Sequence, residues 1–161
     1  MVINLFKPRD EVDVGEAFLK TSQTPLTIPA MLADARARMG ERVVYQHKLQ
    51  SEWQRLTLDE TWEQANEFAA GLVALGLQKG DRVAIICENG LPWAVGALGL
   101  FLAGGVTVPL YTELKTNEIE ELVKRAGARM VIATSRVIER LGDHLSAEQV
   151  IVVGAAEAKQ G

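Results

Sequence analysis

The sequence predicts an α/β fold: an open, mostly parallel sheet flanked by helices, with an antiparallel hairpin ahead of it. Three observations predict it. Four short runs, residues 82–87, 106–110, 129–133 and 149–153, are apolar almost throughout instead of alternating, as strands covered on both faces are. Segments with helical spacing fill the gaps between them, and that alternation implies right-handed parallel crossovers. Upstream, two strand-like runs lie on either side of a short polar turn.

The elements follow in order. Residues 1–27 read as a peripheral N-terminal arm, with Thr21-Ser-Gln-Thr-Pro25 as a loop, and residues 28–161 as the α/β unit. Apolar positions 28, 31, 32, 35 and 39 predict an amphipathic helix closed by Gly40. Residues 43–48 and 53–56 predict the hairpin, joined by Gln50-Ser51-Glu52. Thr57 and Glu60 have capping-box spacing, in which each side chain satisfies a free backbone N–H at a helix start. Trp62, Ala65, Phe68, Ala69, Leu72, Val73 and Leu75 form that helix's apolar face, and Gly76 is its stop. After strand 82–87 come a helix over 92–103, strand 106–110, a helix over 117–126 capped by Thr116 and ended by Gly127, strand 129–133, a short helix near 135–141 and strand 149–153. Gly99 and Ala103, four apart on the most apolar helix, suit close packing against a neighbour.

The chain of 161 residues is 48% apolar and 24% charged, which is ordinary for one globular domain. Its net charge of −4, with both signs interspersed and no basic block, gives no electrostatic case for nucleic acid or an anionic membrane. A single cysteine, Cys87, excludes an internal disulfide and fits a reducing compartment. The N-terminus has too short an apolar run for a signal peptide. Residues 91–110 are nearly free of polar side chains and about long enough to span a bilayer. Pro92, Gly104-Gly105 and Pro109 punctuate that stretch as a buried helix followed by a buried strand.

Chemical motifs are scarce. No Gly-x-x-x-x-Gly-Lys-Ser/Thr loop, no Gly-x-Gly-x-x-Gly after a strand and no Gly-x-Ser-x-Gly elbow occurs. His47 and His144 lie far apart without cysteine neighbours, so no metal site and no catalytic residue is expected. Cys87 reads as an inert core thiol, His47 as a structural residue, and Glu118, Glu120 and Glu121 as dipole-favouring acids on a solvated helix. In an open parallel sheet, ligands bind beyond the carboxyl ends of the strands. Those ends carry Glu88-Asn89, Tyr111-Thr112 and Thr134-Ser135-Arg136. Arg136 and Arg140, four apart on one helical face, are either an anion clamp or a solubilising surface pair.

Residues 53–133 resemble the N-terminal part of the adenylate-forming superfamily, which includes acyl-CoA synthetases, luciferases and peptide-synthetase adenylation domains. Arg55-Leu-Thr-Leu-Asp-Glu60 resembles the first core motif, with Leu58 in place of the usual Tyr. Leu75-Gly-Leu-Gln-Lys-Gly-Asp-Arg-Val-Ala-Ile-Ile86 resembles the family's Leu-Gly-x-x-x-Gly-Asp-Arg-Val-Ala stretch. Phe101-Leu-Ala-Gly-Gly-Val-Thr-Val-Pro-Leu-Tyr111 resembles the Ala-Gly-x-x-x-Val-Pro segment, and Ala126-Gly-Ala-Arg-Met-Val-Ile-Ala133 the Ser-Gly-Ala-Arg-x-Val-Ile strand. Val108-Pro-Leu-Tyr111 and the Asn89/Trp93 spacing lean toward the long-chain fatty acyl-CoA synthetase branch, although Asn89-Gly-Leu-Pro-Trp93 lacks the usual Glu.

The resemblance implies the N-terminal subdomain of an ATP-dependent acyl-CoA synthetase, which joins a carboxylate to ATP and then passes the acyl group to CoA. ATP, Mg2+ and CoA serve the full-length enzyme, and none is expected to bind this chain tightly. The family's phosphate loop, adenine-binding aromatic, ribose-binding Asp, Mg2+-binding Glu and catalytic Lys lie downstream of the matched region, so the chain is expected to be truncated and inactive alone. Its implied partners are the rest of the same polypeptide, a fatty acid and CoA, or a second copy of itself. Some relatives bind the CoA 3′-phosphate through arginines shortly after the last matched strand, which makes Arg136 and Arg140 the candidates here. The expected location is cytoplasmic or membrane-peripheral. Two alternatives stay open: a free-standing, non-catalytic interaction module, and an enzyme that adenylates an aryl or amino acid.

Overall fold

The computed structural model describes residues 27–49, 52–145, 147 and 149–153, so the expected arm over 1–27 lies almost wholly outside the described residues. Helix α1 (Ile28–Met39) starts where the Thr27 side chain accepts from the Ala30 N–H at 3.3 Å, with Pro29 in its first turn. Strands β1 (Val43–Leu49) and β2 (Glu52–Thr57) form the expected antiparallel hairpin, with Lys48 opposite Trp53 and Gln46 opposite Arg55. Helix α2 (Leu58–Ala74) begins at the expected capping box: Glu60 accepts from the Thr57 N–H at 2.7 Å, and Thr57 Oγ1 from the Glu60 N–H at 3.2 Å.

The α/β half then runs through β3 (Arg82–Ile86), α3 (Leu91–Leu102), β4 (Val106–Pro109), α4 (Thr116–Ala126), β5 (Met130–Thr134), α5 (Ser135–Leu141) and β6 (Gln149–Val153). The four strands form one parallel sheet in the order β4-β3-β5-β6. Alternate residues of each strand feed two cores. Val83, Ile85, Met130 and Ile132 meet Leu72 of α2 and Ala97 and Leu100 of α3. Ala84, Ile86, Val131 and Ala133 meet Ile119 and Val123 of α4 and Val137 and Leu141 of α5. Burial on both faces is why these strands read as continuous apolar runs. Each large side chain so buried contributes about 1.5–3 kcal/mol.

Two glycines are set by close approach. A Cβ on Gly99 would stand 2.8 Å from the Ala65 carbonyl oxygen and 2.9 Å from the Phe68 ring, so α3 and α2 touch nearly backbone to backbone, as their spacing suggested. A Cβ on Gly105 would collide with Leu100, at the turn where Gly105 N–H bonds the Leu100 carbonyl at 2.9 Å. That turn divides the apolar stretch into a 12-residue helix and a short strand, and no helix among the described residues is long and apolar enough to cross a membrane.

Three expectations need correction. No residue of α1 is buried, and Ile28, Met31 and Met39 are exposed, because the helix lies only lightly against α2 and α3. It is held instead by Arg36, whose Nε is 2.5 Å from Asp59 Oδ1 and whose guanidinium lies 5.8 Å from the centre of the Trp62 ring. Val73 and Leu75, placed on the buried face of α2, are exposed at its end. Helix α4 opens one residue early: Glu118 accepts from the Lys115 N–H at 2.8 Å, which makes Lys115 the cap and puts Thr116 in the first turn.

Candidate functional site

Strands β3 and β5 are neighbours, yet the chain leaves β3 for α3 on one face of the sheet and β5 for α5 on the other. Their carboxyl ends therefore flank a topological switch point, the place where ligands of open α/β sheets bind. Glu88, two residues past β3, and Thr134, the last residue of β5, meet across it. Thr134 Oγ1 donates to Glu88 Oε2 at 2.8 Å, and Glu88 Oε1 faces Arg136 Nη1 at 3.9 Å.

Beside that crossing, a cleft of about 430 Å³ opens between the ends of β3 and β4. Its walls are Cys87, Glu88 and Asn89 on one side, Trp93 in the first turn of α3, and Pro109, Leu110, Tyr111 and Thr112 on the other. Cys87 is buried, with its Sγ 3.8 Å from the Ile132 carbonyl oxygen. Burial first, and then the negative charge of Glu88, push its thiol up to about 11. A thiol so held is a poor nucleophile at neutral pH, as the sequence suggested.

Arg136 and Arg140 lie exposed on α5, and neither lines the cleft. Arg136 reaches its edge through Glu88. His144 sits in the turn after α5 with Nδ1 3.9 Å from Glu120 Oε2, and His47 is in β1 with its side chain outside the described residues. Of the acids on α4, Glu118 caps the helix and Glu121 pairs with Arg125 at 3.7 Å. Among the described residues no group of three or more His, Cys, Asp or Glu side chains could hold a metal ion, so no residue is assigned to Mg2+. Sequence reasoning marked both sides of the cleft as strand ends but did not join Trp93 to Tyr111. The signal needed was the pairing of β3 with β4, which local periodicity does not carry.

The Gly-Asp-Arg-Val, Ala-Gly-Gly and Gly-Ala-Arg segments lead into β3, β4 and β5 at the end of the sheet opposite this crevice, and the family model described as "AMP-binding enzyme" matches residues 32–161. The chain belongs to the AMP-binding enzyme family. It is 31% identical over 124 residues to the long-chain-fatty-acid–CoA ligase ACSBG2 of Rattus norvegicus, covering 73% of this chain and 19% of that protein. It is 41% identical over 98 residues to FR901469 synthetase of Dothideomycetidae sp. (strain 11243), covering 60% of this chain and 1% of that protein. Among solved structures, the N-terminal subdomain of NpsA from Klebsiella oxytoca superposes with a TM-score of 0.66 at 28% identity, over 78% of this chain and 31% of that one. The chain spans about a fifth of the length of the curated fatty-acid ligases it matches. Its class is that of adenylate-forming ligases.

Proposed function

We propose that this chain is the N-terminal part of a fatty acyl-CoA synthetase that activates a long-chain fatty acid with ATP and transfers the acyl group to CoA. The observation that carries the reading is its likeness to long-chain-fatty-acid–CoA ligases over most of its own length. The open cleft supports it: an unfilled sheet end beside the switch point suits a wall of the acyl or CoA channel, completed by further polypeptide. Arg136 and Arg140 on α5 are the proposed contacts for a CoA phosphate, since guanidinium groups fork well onto phosphate oxygens. ATP and Mg2+ would be handled by the remainder of the polypeptide.

One observation favours a second reading. The likeness to FR901469 synthetase is higher in identity, though over a shorter stretch, and supports adenylation of another acid. Acid-dependent ATP–pyrophosphate exchange by the whole polypeptide separates the two. Exchange driven by palmitate, and not by benzoate or amino acids, is the expected result; the reverse preference overturns the fatty-acid reading.

A further inference from the structure

We propose that the outer face of the β1–β2 hairpin docks on a lipid bilayer that carries anionic headgroups. The inference rests on the reading that the whole polypeptide activates a long-chain fatty acid, and it adds where that substrate is met. A hydrocarbon chain of such length partitions into bilayers, so an enzyme that consumes it gains by working at their surface. The register of the hairpin makes the face. Lys48 stands opposite Trp53 and Gln46 opposite Arg55, two positions along, so all four lie on one side. The other side carries the Tyr45–Leu56 pair, which packs toward α2 and buries Leu56.

What the outer side presents is one large aromatic ring beside two cations. Trp53 is 56% exposed, and Gln46, Lys48 and Arg55 are exposed with it. Among the described residues neither Lys48 nor Arg55 has an ion-pair partner, and Glu52, the acid of β2, stands opposite Leu49 on the other side. Val43 and Val44 add exposed apolar surface at the foot of the hairpin. Indole rings settle at the boundary between headgroups and acyl chains, where the ring is out of water and its N–H is not. Lysine and arginine beside such a ring lay their stems along the apolar zone and keep their charges among anionic headgroups. The net charge of −4 does not oppose this, because charges more than roughly 8 Å away are largely screened at physiological salt. Composition therefore carries no signal for an anionic membrane, whereas the strand register gathers one. A nucleic acid is the weaker match, since its backbone asks for a longer track of cations than this pair.

The test is flotation of the whole polypeptide with vesicles of phosphatidylcholine alone and of phosphatidylcholine mixed with phosphatidylglycerol. Wild type is compared with Trp53→Ala and with a double variant, Lys48→Gln with Arg55→Gln, all at exposed positions that leave the core untouched. The expected result is binding to the mixed vesicles, weakened about tenfold by Trp53→Ala through the apolar area lost and about tenfold or more by the double variant. Only the second loss should vanish at high salt. Wild type that fails to float with the mixed vesicles, or equal flotation of all three proteins, overturns the assignment. Variants that lower the Tm without changing flotation give the face to packing within the polypeptide, and tighter binding of single-stranded DNA than of vesicles gives it to nucleic acid; either overturns the proposal. Flotation is read without turnover, so palmitoyl-CoA formation by the same wild-type protein is scored separately. Thioester formation without flotation overturns only this inference, whereas a polypeptide that floats and ignores palmitate overturns the reading on which it rests.

Discussion

Asp81 and Arg129, 48 residues apart in sequence, meet at the amino end of the sheet with Arg129 Nη1 2.8 Å from Asp81 Oδ2. The same Oδ2 accepts from the Gln78 N–H at 2.8 Å, and Arg129 also donates to the Gly76 carbonyl at 2.9 Å. Backbone bonds extend the junction: Val106 N–H to the Asp81 carbonyl and Arg129 N–H to the Arg82 carbonyl, each at 2.8 Å. One acid and one base thus tie the entries of β3, β4 and β5, which gives the Gly-Asp-Arg and Gly-Ala-Arg segments a structural reason at the end of the sheet away from the cleft.

The Gln78 N–H, and after it Arg129, hold the Asp81 carboxyl below its ordinary value near 3.8. A group lowered on folding stabilises the fold fully above its unfolded value, and that contribution is lost as pH falls through the lowered folded value. Asp81→Asn should therefore lower the Tm at pH 7, with the gap from wild type closing below about pH 4. Thermal unfolding of both chains across pH 2.5 to 7, roughly the span over which carboxylates titrate, checks it. A gap that is constant with pH would exclude the carboxylate as the cause.

Gly99 and Gly71 should respond oppositely to alanine. At Gly99 the added methyl meets a backbone oxygen, so Gly99→Ala should cost about 1–3 kcal/mol despite alanine's better helix propensity. At Gly71 nothing lies within 4 Å, and Gly71→Ala should stabilise by about 0.5–1 kcal/mol. Urea denaturation of the two single variants gives both signs.

Thr57→Ala removes the acceptor for the Glu60 N–H and the hydroxyl that bonds Glu60 Oε2 at 3.0 Å. The expected cost is about 1 kcal/mol, with Thr57→Ser close to wild type. Equal losses in the two variants would assign the effect to the missing methyl and not to the cap.

Cys87 should resist alkylation in the native state. With its thiol pushed up to about 11 from an ordinary value of 9.0, its thiolate fraction at pH 8 is about a hundredfold below that of an unperturbed thiol, before burial slows access further. Timed iodoacetamide labelling read by intact mass should show modification in urea and almost none without it.

The legible parts of this fold were those written locally. The four apolar runs and the Thr57/Glu60 box depend on neighbouring residues, and the structure has them where the pattern put them. Helix α1 stands where its spacing put it, yet its apolar positions stay unburied, because a 3.6-residue period states which face is apolar and not whether anything covers it. The strand order β4-β3-β5-β6 leaves no local trace, and without it neither the Glu88–Thr134 bond nor the shared cleft of Trp93 and Tyr111 can be assembled. Asp81 and Arg129 were visible only as parts of two separate motifs. Gly40 does close α1 as the sequence suggested, though with a right-handed backbone, and what a side chain there would strike is the Asp59 carboxylate.

The most direct test is palmitate-dependent exchange of labelled pyrophosphate into ATP, followed by palmitoyl-CoA formation, with the 161-residue chain and the whole polypeptide assayed side by side. An N-terminal piece of a fatty acyl-CoA synthetase predicts both activities in the whole polypeptide and neither in the chain alone. Exchange by the isolated chain, or a whole polypeptide that ignores palmitate, would contradict it.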